Sequence, residues 1–419
     1  MKYLSPRTKP ARQGGDSGGA GSRLTDKAGL DRLFDALRAS GRTLIGPTVS
    51  EGAIVYAEIR GTGDLPEGVG DAQGPGKYRL TRRKDASLFG FVVGPHSWKR
   101  FLFPPELRLL SARKVGRSWS FAAEPPPLQR YAFLGVRACE LAAILIQDRV
   151  FLAGSHIDPA YEALRHGAFI IAVDCTQSGE NCFCASMGTG PKAQAGHDLC
   201  LTELLDEGSP RYLIEAGTSR GKQVLDGLRF PSAGKALLSQ AEEAMAACAA
   251  GMRKAMPAQD LRELLNSNLE HPRWAETAQR CLSCANCTMA CPTCFCSTVE
   301  ETGDLLGEHA ERWRRWDSCF TNDFSTLHGG SVRPNTRSKY RQWLTHKLSA
   351  WHDQFASSGC TGCGRCITWC PAGIDLIEEV RALGSPVLEG RSSSNPEEGR
   401  ALKSPVPGER SEETHEKNP

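Results

Sequence analysis

Cys281-Leu-Ser-Cys284-Ala-Asn-Cys287-Thr-Met-Ala-Cys291-Pro292 has a twin in Cys360-Thr-Gly-Cys363-Gly-Arg-Cys366-Ile-Thr-Trp-Cys370-Pro371. Both read C-x2-C-x2-C-x3-C-P, the bacterial spacing for 4Fe–4S clusters. A cubane offers iron at the corners of a tetrahedron. Three thiolates two residues apart lie on a tight loop that wraps three corners. The fourth, at the start of the next helix, points away and reaches the neighbouring cluster. One cluster is therefore expected to take Cys281, Cys284, Cys287 and Cys370, and the other Cys360, Cys363, Cys366 and Cys291. Pro292 and Pro371 suit a first helical turn, where no N–H partner is needed. Gly362 and Gly364 let the backbone approach the inorganic sulfurs. Zinc favours two C-x2-C pairs across a longer loop, not four cysteines in so short a run.

Working outward, the chain has 419 residues, enough for two domains. Its 17 cysteines are an odd number, so complete pairing within the chain is impossible. With 40% hydrophobic and 24% charged residues it is not a disordered chain. The balance of 51 basic and 48 acidic residues leaves no nucleic-acid footprint. No run of apolar residues is long enough to span a membrane. Met1–Arg23 is rich in Gly, Ser and Arg and does not read as a secretory signal. The expected location is the cytoplasm, where thiols stay reduced. So many cysteines there point to metal, catalysis or redox work.

Residues 1–23 and 389–419 read as disordered tails. From Thr25 to about Phe230 helices alternate with short apolar strands. A helix capped by Thr25 presents Leu30, Leu33, Phe34 and Leu37 on one face. Ala53–Ile59, Leu88–Val93, Tyr131–Leu134, Ala168–Val173 and Arg211–Ile214 read as strands, and Cys139–Arg149 as a helix. The pattern predicts an α+β or α/β domain over residues 24–235. From Ala236 it turns helical: to about Lys254, then Asp260–Asn268, His271–Gln279, Val299–Glu308 and Ser338–Leu348. An all-α ferredoxin-like domain carrying both clusters is predicted over residues 236–388.

The first half has its own thiols: Cys139, Cys175, Cys182 and Cys184. Cys139 opens a helix after one strand, and Cys175 follows another. Two such junctions at one sheet edge could gather four thiols into a third Fe–S site. Buried cysteines acting as small hydrophobes are the plainer reading. Cys294, Cys296 and Cys319 read as packing around the clusters, with an extra or alternative ligand as the other option. Cys200 and Cys248 read as core. Arg365 sits inside the second run, either as a cation raising a cluster's potential or as an ordinary exposed arginine. G-x-G-x-x-G is absent, since Gly61-Thr-Gly63-Asp-Leu-Pro66 lacks its third glycine. Gly217-Thr-Ser-Arg-Gly221-Lys222 lacks the spacing of a P-loop. No flavin or nucleotide is expected in this chain.

Several segments resemble the β subunit of cytoplasmic NiFe sulfhydrogenases, the NAD(P)-linked hydrogenases. More distantly, they are similar to one of the subunits of anaerobic sulfite reductase. They are Lys99-Arg-Phe-Leu-Phe-Pro-Pro105, Gly135-Val-Arg-Ala-Cys139-Glu and Asn181-Cys-Phe-Cys-Ala-Ser-Met-Gly-Thr-Gly-Pro191. In the second half they are Cys281–Cys296, Trp316-Asp-Ser-Cys319 with Leu327-His-Gly-Gly330, and Cys360–Pro371. The family often has Pro where this chain has Ala138. The resemblance implies a non-catalytic electron-transfer subunit with 4Fe–4S clusters. Its partners would be a flavin- and NAD(P)-binding subunit and the small and large NiFe hydrogenase subunits, or sulfite reductase subunits. It also strengthens the case for a third cluster on Cys139, Cys175, Cys182 and Cys184. Two other classes compete: a zinc-stabilised scaffold, and direct sulfur chemistry at a reactive Cys294 or Cys319.

Overall fold

Ala168–Val173 is apolar throughout, as expected for a strand covered on both faces. In the computed structural model, which describes residues 21–206 and 209–386, Phe169–Val173 is a central strand. Phe169, Ile171 and Val173 enter one core, and Ile170 and Ala172 enter the other. The strands from the N-terminus are β1 (Arg23–Thr25), β2 (Thr43–Ser50), β3 (Ala53–Glu58), β4 (Val69–Gly74) and β5 (Lys77–Arg82). Then come β6 (Glu106–Val115), β7 (Ser118–Ala123), β8 (Tyr131–Arg137), β9 (Phe169–Val173), β10 (Leu199–Asp206) and β11 (Ser209–Ala216). The seven-stranded sheet runs β1-β11-β10-β9-β8-β2-β3. Its middle pairs β2/β8, β8/β9 and β9/β10 are parallel, and its edges antiparallel.

One face of the sheet is covered by the helix Lys27–Ala39, through Leu30, Leu33, Phe34 and Leu37. Asp26, not Thr25, caps that helix, accepting from Gly29 N–H at 2.9 Å; Thr25 instead closes β1. The helices Ala138–Leu152 and Pro159–Gly167 cover the other face with Leu141, Ile144, Tyr161 and Leu164. This layered arrangement aims the carboxyl ends of β8 and β9 at one place, where α/β sheets gather ligands. A bulge at Gly135, with φ +89°, shifts register there.

Leu88–Val93 is not a strand. Side chains take the place of a ladder. Glu203 accepts the Leu88 and Phe89 N–H groups at 2.7 and 3.1 Å, and Asp71 accepts Val92 N–H at 2.7 Å. Arg137 donates to the Phe89 and Phe91 carbonyls, both at 2.8 Å.

The second half is not all-α. Val299–Glu308 lies in a hairpin of β12 (Ser297–Gly303) and β13 (His309–Trp316). These pair with β6 and β7 in a sheet of order β12-β13-β6-β7. Leu305 and Leu306, inside the stretch expected to be helical, form an exposed hairpin tip. Asp304 Oδ1 accepts Glu308 N–H at 2.8 Å and closes the turn. The other expected helices form as Lys235–Ala250, Leu261–Ser267, Arg273–Arg280 and Thr336–Thr345. The last widens into a π-turn over His346–Ala350. Of the expected tails, residues 1–20 and 387–419 lie outside the described residues.

Candidate metal centres

The two cysteine runs adopt one backbone shape. Gly362 and Gly364 have φ of +68° and +77°, and their counterparts Ser283 and Ala285 have +50° and +65°. Side chains are tolerated in the first loop and not in the second. A Cβ on Gly364 would lie 2.4 Å from the Asn181 carbonyl oxygen, and one on Gly362 2.7 Å from the Cys184 backbone. Phe183 N–H donates to the Gly362 carbonyl at 2.9 Å. The glycines thus admit the Cys182–Cys184 segment of the first half.

Cys281, Cys284 and Cys287 of the first run and Cys370 of the second line one cavity. Phe320, Tyr340, Trp343, Ile374 and Leu376 supply much of the rest of its wall, and Cys366 reaches it too. Tyr340 Oη and Trp343 Nε1 are buried with no hydrogen-bond partner among the described residues. Idle buried donors are costly. Beside a ring of thiols, they fit a bound group rich in acceptor sulfur. Burial pushes the Cys281 thiol up and Cys287 well up, and neighbouring thiols add to both. Such thiols ionise when a metal takes the place of their protons. Cys284 is exposed and Leu282 is 67% exposed, so this cavity borders solvent.

In the second loop, burial pushes Cys360 up to about 12 and Cys363 to about 11. Burial also raises Cys366, with Cys360, Cys363 and Cys291 near enough to raise it further. Cys291 thus lies close to the loop of the other run as well as to Cys287 of its own. The buried Lys347 ammonium donates to Cys291 Sγ at 3.3 Å and Cys294 Sγ at 3.4 Å. The hydrogen bond from Cys294, with Lys347 behind it, holds Cys291 well below the usual thiol range.

The third group forms where the sheet aims. Cys139 is the second residue of the helix after β8, and Cys175 lies two residues past β9. Cys139 and Cys184 share a hydrogen bond, and Cys139 and Cys175 both stand close enough to raise Cys182. Cys363 lies near Cys139 and Cys182, so this group adjoins the second loop. Gly190 makes room, since a Cβ there would lie 2.9 Å from Cys184 Sγ. Cys248 is buried near Cys175, a neighbour its own helix pattern does not reveal. Cys200 is core, on β10 beside Asp174.

Cys294, Cys296 and Cys319 line a further cavity with Arg333, His346 and Lys347. A hydrogen bond from Cys319 pulls the Cys296 thiol down to about 7. Among the described residues, no three Cys, His, Asp or Glu side chains converge on a single-ion position.

Residues 280–374 match the 4Fe-4S dicluster domain. Over 258 residues the chain is 33% identical to sulfhydrogenase 2 subunit beta of Pyrococcus furiosus, covering 60% of this chain and 74% of that one. The chain belongs to the sulfhydrogenase β-subunit family. No solved structure matches it. The family match reinforces the resemblance carried by the segments between Lys99 and Pro371, and the dicluster match spans both cysteine runs. Among the described residues, no helix is long and apolar enough to cross a membrane.

Proposed function

We propose that this sulfhydrogenase β-family chain is the iron–sulfur electron-transfer subunit of a cytoplasmic hydrogenase-type complex. The observation that carries this is the shared cavity of Cys281, Cys284, Cys287 and Cys370, with Tyr340 Oη and Trp343 Nε1 idle beside it. In this reading these four cysteines hold one cluster. Cys360, Cys363, Cys366 and Cys291 hold the second, and Cys139, Cys175, Cys182 and Cys184 a third. Bound there, 4Fe–4S clusters supply one-electron redox chemistry.

The chain's own residues do the rest. The thiol groups form a continuous series: the 182–184 segment rests on the 360–366 loop, and Cys366 reaches the first-loop cavity. Phe320, Tyr340, Trp343, Ile374 and Leu376 form an apolar and aromatic wall on part of that cavity. Exposed Cys284 and Leu282 bring one end of the series to the surface, where a partner can exchange electrons. A flavin- and NAD(P)-binding subunit and the NiFe subunits are the partners this family reading supplies. The relative's name favours that branch over anaerobic sulfite reductase. Anaerobic pull-down of the tagged chain from its host tests the assignment. Co-eluting flavin and nickel are expected; recovery of sirohaem instead would move the chain to the sulfite reductase branch.

A further inference from the structure

Lys347 is a cation in an unusual place. The residue is 3% exposed, on a π-turn interrupting the helix that precedes the second cysteine loop. Single π-turns inside helices often mark functional positions. Its four contacts are Cys291 Sγ at 3.3 Å, Cys294 Sγ at 3.4 Å, Thr293 Oγ1 at 3.2 Å and the Gly359 carbonyl at 3.2 Å. None is a carboxylate. Lys99, also 3% exposed, stands nearby, donating to the Cys294 carbonyl at 3.1 Å and lying 3.9 Å from the Trp316 ring centre.

A buried charge needs a counter-charge. Arg365, inside the second cysteine loop, has one in Glu140. Lys347 has no carboxylate; its partners are the Cys291 and Cys294 sulfurs and two neutral oxygens. The first-loop cavity, by contrast, is lined by uncharged side chains apart from its thiols. Net charge and hydrogen bonds to sulfur set how readily an iron–sulfur group takes an electron. Cation and donor both favour the reduced, more negative form.

We propose that Lys347 is the resident counter-cation of the site formed by Cys360, Cys363, Cys366 and Cys291, making it easier to reduce than the Cys281/Cys284/Cys287/Cys370 site. The inference rests on the ligand sets proposed above. The step is uptake of one electron with no bond made and no proton moved. An electron reaching the first site then settles on the Lys347 site. Lys347 is a positioning residue in this scheme, acting through Cys291.

The test is an anaerobic redox titration of the full chain followed by EPR, with dithionite as reductant and Cys360→Ser used to assign signals. In Lys347→Met the reduced-to-oxidised ratio of the second site should fall at least tenfold at fixed potential, 59 mV for a one-electron couple. The first site should not move. Lys347→Gln, which keeps a donor but no charge, should fall in the same direction. Lys347→Arg should stay near the wild-type ratio. Unchanged ratios in Met and Gln variants with wild-type iron would overturn the proposal, as would loss of iron in all three variants. Loss in Met and Gln but retention in Arg would support it. Wild-type protein that never holds iron would sink the electron-transfer reading itself, a different failure.

Discussion

Arg365, inside the second cysteine loop, is ion-paired with Glu140, the residue after Cys139, and both side chains are almost wholly buried. Glu140 also accepts from Tyr56 Oη at 2.9 Å, Trp98 Nε1 at 3.2 Å and Arg137 N–H at 3.2 Å. Arg365 donates in addition to the Gly94 and His96 carbonyls, both at 2.9 Å. The arginine is therefore not a surface residue, and its charge is offset within the protein. It fastens the loop to the helix that carries Cys139. Removing one partner of a buried pair costs about 3–5 kcal/mol. Arg365→Met and Glu140→Gln should each destabilise by that order in anaerobic denaturant unfolding, and the double variant should recover part of it. Wild-type stability in either single variant would show that the pair is not a tie.

Cys291 belongs by sequence to the first run but lies with Cys366 and Lys347. Cys291→Ser should perturb the EPR signal of the site built on residues 360–366 and leave the 281–287 signal intact. The opposite pattern would mean that each run holds its own group.

For the N-terminal thiols, iron content is the readout. Cys182→Ser should lower it by about four atoms per chain, the content of one 4Fe–4S group. Unchanged iron would return Cys139, Cys175, Cys182 and Cys184 to the core.

His96 offers a pH test. Burial, with Arg100 and Arg365 nearby, pulls its imidazole from 6.5 down to about 4. Between those values the unfolded chain binds a proton that the folded chain refuses. Stability therefore falls as pH drops from about 6.5 towards 4. His96→Gln should flatten that part of the stability–pH curve, measured by unfolding midpoint. An identical slope in the variant would assign the acid sensitivity elsewhere.

What could be read from sequence was what is encoded locally. The thiol spacing is contiguous, so both runs were recognisable before any fold was known. The buried run Phe169–Val173 and the apolar stripe of Lys27–Ala39 declare themselves the same way. The four-stranded sheet did not, because β13 finds its partner β6 some two hundred residues upstream. Ser297–Gly303 and His309–Trp316 carry no clean alternation, and exposed Leu305 and Leu306 mimic a helix face. Leu88–Val93 has the composition of a strand, but Glu203, Asp71 and Arg137 take up its backbone groups. Lys347 gave no signal at all; a lysine in a helix usually reads as solvent-facing.

The claim beneath all of this is that the two C-terminal thiol sets hold iron–sulfur cubanes. Iron, zinc and acid-labile sulfide counted on oxygen-free protein, with EPR after dithionite, test it most directly. At least about eight iron and eight sulfide per chain are expected, with signals from reduced 4Fe–4S groups. Colourless protein with stoichiometric zinc and no sulfide would contradict it.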